Sequence, residues 1–225
     1  MTTSGTYQFS PAMGEMVLYS YNLIGIRSTS LLQEHFEAAR MATNLVLADW
    51  SNKGVNLWQV QFFTVPLVQG TASYSVSATL VNILDLYLTV STTNRYITPV
   101  SRTEFASFPN PTQQGFPTCY WHWRTLTPTV NFYPTPDGNQ SAFNYYALVQ
   151  IQDAAFTNGQ TPDIPYLWTK ALADAISVEL ATIWAPDKLS VVQPRADKSY
   201  AAASATGTEI AQMYISPTLS GYWRT

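Results

Sequence analysis

The chain has 225 residues, enough to bury a substantial core as one domain or as one domain carrying an insertion. Its charged share is 11% where soluble domains average about 25%, while 46% of residues are hydrophobic and 14% aromatic. That balance excludes a disordered chain, which pairs low hydrophobicity with high charge, and a net charge of −3 excludes a broad basic face for gripping phosphates.

Charge depletion with Tyr, Trp and Phe enrichment is the composition of interface cores, so the chain reads as an assembly subunit. Residues 1–13 lack the basic and apolar regions of a signal peptide. A helical stretch is expected over residues 15–26, with Gly25 and Ser28-Thr29 forming a tight connection. Ser30 and Gln33 have capping-box spacing. Leu32, Phe36, Ala39, Val46 and Trp50 then form an apolar row broken only at Thr43, on a helix running to Asn52 and stopped by Gly54.

From there the period changes to two. Trp58, Val60 and Phe62 alternate with Gln59 and Gln61, as on a half-buried strand. Residues 54–84 carry no charge, yet Asn56, Gln59, Gln61, Pro66 and Gln69 are unsuited to lipid, so a soluble protein made in a cytoplasm is expected. Gln69-Gly70 marks a turn, after which Tyr74, Val76 and Ala78 alternate with serines. Apolar runs follow at residues 80–90 and 96–100, with a loop or short helix at 105–114. Further strands are expected at 118–124, 130–133 and 143–151, with a turn at Pro134-Thr-Pro-Asp-Gly138.

The last third returns to helical spacing. Asp163 and Pro165 start a helix with Trp168, Leu172, Ile176, Leu180 and Ile183 on one face. Pro186-Asp187 restarts the pattern as an alanine-rich helix through Ala203 to about Met213, which Pro194 should kink or divide. The expected fold is α+β. Residues 1–54 and 163–213 form a helical bundle, residues 55–162 an inserted antiparallel β-subdomain, and residues 214–225 an extended tail.

Catalytic patterns are weak. No G-x-S-x-G, phosphate loop or G-x-G-x-x-G occurs. His35 lies within the first long helix and His122 between two tryptophans, both read as packed or interface residues. Cys119 and His122 resemble half a zinc site without its other half, so no metal and no cofactor is expected. The best enzyme reading is a carboxylate-pair cell-wall hydrolase drawn from Asp85, Glu104, Asp137, Asp153 and Asp163. Asp137 and Asp163 have structural jobs in a turn and at a helix start, and no enzyme is expected. Tyr120, Trp121 and Trp123 are read as subunit-interface candidates, or as an aromatic platform for a sugar or base. In the tail, Ile215, Tyr222, Trp223 and Arg224 are apolar and charged anchors of the kind that dominate interface energies, so they imply a surface to dock on.

The order of these pieces resembles the head-to-tail adaptors of short-tailed bacteriophages, the tail tubular proteins of the A type and packaged-DNA stabilisation proteins. The resemblance rests on Asp49-Trp50, Gly54 and Leu57-Trp58, then Gly70-Thr-Ala-Ser-Tyr-Ser-Val76 and Gly115-Phe-Pro-Thr-Cys-Tyr120. Phe132-Tyr-Pro-Thr-Pro-Asp-Gly138 and Ile164-Pro165 with Trp168 complete it, over residues 19–213. Pro194 and the Trp121-His122-Trp123 run depart from the pattern. The resemblance implies a virion protein forming a homo-oligomeric, dodecameric ring beneath the portal. Helices would make the wall, the carboxyl-terminal tail would reach the portal, and the β-subdomain would meet a nozzle protein or tail fibres. Packaged double-stranded DNA would pass through without tight binding, and no membrane is involved. Another tail or head-completion component, such as a nozzle protein, is the alternative.

Overall fold

The computed structural model describes residues 5, 9–54, 57–156 and 159–206. The expected final turns of the last helix and the tail anchors Ile215, Tyr222, Trp223 and Arg224 lie outside the described residues. The fold is α+β, with helices at both ends of the described residues and strands between them.

Helix α1 spans Met13–Leu23, and the Glu15 carboxylate closes its first turn by accepting the Ala12 N–H at 3.2 Å. Helix α2 spans Gln33–Lys53, and its start differs from the expected capping box. Ser30 is taken up in the 3-10 turn Ser28–Ser30, Leu32 is the N-cap residue, and His35 Nδ1 accepts the Leu32 N–H at 3.2 Å. Tertiary packing holds His35 there: its ring stacks on Trp184 with centroids 4.3 Å apart, and its carbonyl accepts the Tyr21 hydroxyl at 2.5 Å. Burial pushes the Tyr21 hydroxyl up to about 12. Leu32 is exposed, whereas Thr43 is fully buried and donates its Oγ1 to the Ala39 carbonyl at 2.8 Å. A threonine that satisfies its own hydroxyl within the helix can sit in an apolar face, so the row is continuous. Gly54 ends α2 with φ 66°, a conformation that a residue without Cβ adopts freely.

After the 3-10 turn Tyr166–Trp168, helix α4 (Thr169–Trp184) runs through the middle of the helical part, packing against α1, α2 and helix α5 (Leu189–Thr206). The shared core holds Tyr21, Trp50, Trp168, Leu172, Ile176 and Leu180. Ile183, expected in this core, is exposed at the end of α4. Pro194 does not divide α5: it lies on the exposed side, early in an uninterrupted helix, where its absent N–H removes one bond.

Asp174 is a charged residue that no motif or periodicity in the sequence marks. Its side chain is wholly buried in α4, receiving Arg195 Nε at 2.8 Å and Lys170 Nζ at 3.0 Å. Arg195 also donates to the Tyr19 hydroxyl at 2.9 Å, so one network joins α1, α4 and α5. Removing Arg195 leaves the buried Asp174 Oδ1 without that donor, while Lys170 still offsets the charge. Arg195→Met should therefore lower the unfolding free energy by about 2 kcal/mol, read from the denaturant midpoint. An unchanged midpoint would mean that water replaces the guanidinium.

Among the described residues ten strands follow α2: β1 (Val60–Pro66), β2 (Ser73–Ser75), β3 (Leu80–Val90), β4 (Thr93–Tyr96), β5 (Thr98–Pro99), β6 (Gln114–Gly115), β7 (Cys119–Trp123), β8 (Thr129–Tyr133), β9 (Thr135–Pro136) and β10 (Ala142–Val149), with helix α3 (Arg102–Ala106) after β5. One sheet is antiparallel throughout, in the order β1-β10-β3-β4. The second has the order β2-β8-β7-β5, and β6 pairs with β9. Among the described strands the expected antiparallel pattern fails where β5–β7 and β6–β9 pair in parallel over two residues each. Parallel neighbours need a crossover, which the α3 segment provides for the first and the β7–β8 hairpin for the second. The strands share their own core around Tyr74, Leu88, Phe132, Phe143 and Tyr145.

In β1 the expected faces are inverted. Trp58 belongs to the 3-10 turn Leu57–Gln59, where its indole packs on the helical core and donates to the Asp163 carbonyl at 3.2 Å. Gln59 is buried against the Asp163 carboxylate. The turn consumes the residues that would have set the phase, so Phe63 and Val65 point inward and Phe62 is 50% exposed. Side-chain amides and hydroxyls fasten α2 to the segment leaving β10. Asn44 exchanges two bonds with the Ala154 backbone at 2.8 and 3.1 Å, and Ser51 Oγ accepts the Ile151 N–H at 3.2 Å.

Candidate interaction surfaces

The groups that could carry chemistry are dispersed. His35 is spent on capping α2. Cys119 and His122, three apart on β7, point to opposite faces. Cys119 is buried with its Sγ 3.4 Å from the Tyr133 carbonyl, and burial pushes its thiol up. Asp137 accepts the Asn139 N–H at 3.1 Å and Gln140 Nε2 at 2.8 Å, which holds its carboxyl below the usual range and orders the turn at Gly138. Asp163 clamps Gln59, Glu104 lies in the first turn of α3, and Asp85 and Asp153 lie on exposed backbone. Among the described residues no three of His, Cys, Asp and Glu converge on one point. No described helix is long and apolar enough to cross a membrane.

What the surface does carry is apolar and aromatic. Tyr120 is 4% exposed and belongs to the strand core, so it has almost no area left for a neighbour. Trp121 is half-buried, its ring between Phe105 (5.6 Å) and Trp123 (5.5 Å, 19° between planes). Trp123 is 52% exposed at the outer end of this stack. Of the three interface candidates, Trp123 presents the open face.

Two further surfaces were missed from the sequence. On the outer face of the β1-β10-β3-β4 sheet, Phe62, Tyr146, Tyr87 and Tyr96 form an aromatic patch across all four strands: the Phe62 ring lies 5.0 Å from Tyr146 and 6.5 Å from Tyr87, and Tyr87 lies 5.9 Å from Tyr96. Beside it runs a hydrogen-bonded row, Thr64 to Asn144 to Thr89 to Asn94, at 2.7, 2.7 and 3.0 Å. The signal was present in the doublets Phe62-Phe63 and Tyr145-Tyr146. Adjacent strand residues face opposite ways, so each doublet must put one aromatic outside. On α2, Glu34, Glu37, Met41, Leu45 and Ala48 are exposed and recur every three or four residues, opposite the buried face.

Between β3 and β7 lies a recess of about 360 Å³, lined among others by Asn82, Tyr120, His122, Arg102 and Arg124. Arg124 Nη2 donates to Asn82 Oδ1 at 2.7 Å. His122 Nε2 is buried with no hydrogen-bond partner among the described residues. Burial and the neighbouring Arg124 charge both hold the His122 imidazole below its usual range, so it is neutral at pH 7.

No curated protein matches the chain in sequence. The profile of the SU10 adaptor protein family matches residues 25–219, which takes in α2, every strand, α4 and α5. A match over most of the chain, on a scaffold with apolar faces turned outward and no assembled catalytic set among its described residues, identifies the group: the chain belongs to the SU10 adaptor proteins, a family of phage head-tail adaptors.

Proposed function

We propose that this protein closes as a dodecameric ring beneath the portal, extends its DNA channel and offers a platform for the next tail component. The observation that carries the reading is the family match across helices and strands alike. The surface supports it. A ring subunit needs two different patches for its neighbours, because a head-to-tail contact joins unlike surfaces. It needs further faces for the partners above and below. The outer side of α2, the aromatic patch on the β1-β10-β3-β4 sheet and the Trp123 end of the tryptophan stack are separate exposed surfaces of this kind.

In this reading the helices form the wall, and the segment after α5, with Ile215, Tyr222, Trp223 and Arg224, docks on the portal. The strands face the nozzle or fibres. A net charge of −3 suits a channel that DNA passes without being held. The work is geometry and binding, with no bond made or broken. Mixing the protein with its cognate portal and recording native mass and symmetry tests this. A complex of two stacked rings with twelve-fold symmetry is the expected result, and separate, uncomplexed components would overturn it.

A further inference from the structure

Three arginines lie among the strands. Arg95 is engaged over the Phe116 ring at 5.2 Å. Arg102 and Arg124 both line the recess between β3 and β7, and neither has a carboxylate partner among the described residues. The same recess holds His122, whose buried Nε2 lacks a partner. A buried polar nitrogen left unpaired is costly, and Arg102 and Arg124, both exposed at the same recess, are ready donors to an anion. An oxyanion would satisfy all three groups.

The surroundings favour a protein carboxylate over a phosphate backbone. Exposed Trp123, Leu84 and Leu126 flank the recess or the strand that forms it, which suits an apolar neighbour. Two arginines in a chain of net charge −3 make no track for a polyanion.

A matching surface is present on the same chain. The outward stripe of α2 begins with Glu34 and Glu37, which make no ion pair among the described residues, and continues into Met41 and Leu45, 59% and 55% exposed. From Glu34 to Leu45 the stripe is about 16 Å long, at 1.5 Å per residue. Carboxylates next to large apolar side chains are the complement of arginines next to Trp123 and Leu126. We propose that the recess receives the Glu34–Glu37 end of α2 from a second copy of this chain, with Met41 and Leu45 packing towards Trp123. Resting on the ring reading, this makes the subunit contact head-to-tail, with α2 on one side and the β3–β7 recess on the other.

Disulfide trapping tests the contact without the portal. On a Cys119→Ser background, one full-length protein carries Ala38→Cys, beside Glu37 on the α2 stripe, and another carries Thr125→Cys, beside Arg124, because a disulfide forms only where the two backbones come within about 7 Å. Mixed under mild oxidation, the two should form heterodimer about tenfold faster than either forms homodimer, because docking raises the local thiol concentration. Adding Arg102→Glu and Arg124→Glu to the second protein should abolish that advantage. Adding Glu34→Lys and Glu37→Lys to the first should then restore it. A heterodimer no faster than the homodimers, or a charge exchange that fails to restore it, would overturn the proposal. So would nanomolar binding of a duplex DNA oligonucleotide that the two arginine substitutions eliminate, since the recess would then serve nucleic acid. The portal mixture described above separates the two ideas. Assembly on the portal without trapping leaves the adaptor reading standing alone, and trapping without portal assembly leaves this contact standing alone.

Discussion

Deleting residues 217–225 is expected to abolish joining to the portal while leaving thermal unfolding nearly unchanged. The fold should not notice the loss. The buried residues of α5, Val192, Ala196, Ser199 and Ala203, all precede the deletion, as do the whole of α4 and every strand. The binding should notice it strongly. Tyr222, Trp223 and Arg224 are the residue types that carry most interface energy, set beside Pro217 and Gly221 in a stretch with little other charge. Trp223→Ala alone should weaken portal binding by about 2 kcal/mol or more, measured by titration of portal with the variant. Native affinity in the truncated protein would sink the docking role. Unfolding of the truncated protein would sink it as well, since the segment would then belong to the protein's own core.

Trp50→Ala is expected to have the largest effect on stability, about 4 kcal/mol. Trp50 is 2% exposed, and its ring meets Trp168 at 5.0 Å and Tyr200 at 6.1 Å. Trp168 in turn meets Trp58 at 5.1 Å. This cluster is where α2, the turn leading into α4, α5 and the entry to β1 converge, so no single element can move to fill the space an alanine would leave. Cavities that cannot collapse are the expensive ones. Guanidinium unfolding of the purified variant provides the measurement, with Trp50→Phe expected to recover a good part of the loss. A cost below about 1 kcal/mol would mean that the site repacks freely.

Local physics alone determined a large part of this protein. The helix ends were legible where one residue has a conformational task, as Gly54 does at φ 66°. The turns at Gln69-Gly70 and Pro134–Gly138 were legible for the same reason: Gly70 and Gly138 take φ of 77° and 92°. Helical spacing placed Trp50, Leu172, Ile176 and Leu180 in a core, because a 3.6-residue period depends on no distant partner. What only the tertiary structure decided depends on such partners. His35 displaced the Ser30 cap because Tyr21 and Trp184 hold it in place. Phe62 turned outward because the 3-10 turn drew Trp58 into the helical core before β1 began. Asp174 could be buried because Arg195, 21 positions away, arrives beside it from the next helix. The recess joins Arg102 from α3 with His122 and Arg124 from the β7 region across β3, and no spacing along the chain encodes that meeting. A periodic pattern reports which face of an element is apolar; which charges and aromatics meet across elements is set by the packing of the elements themselves.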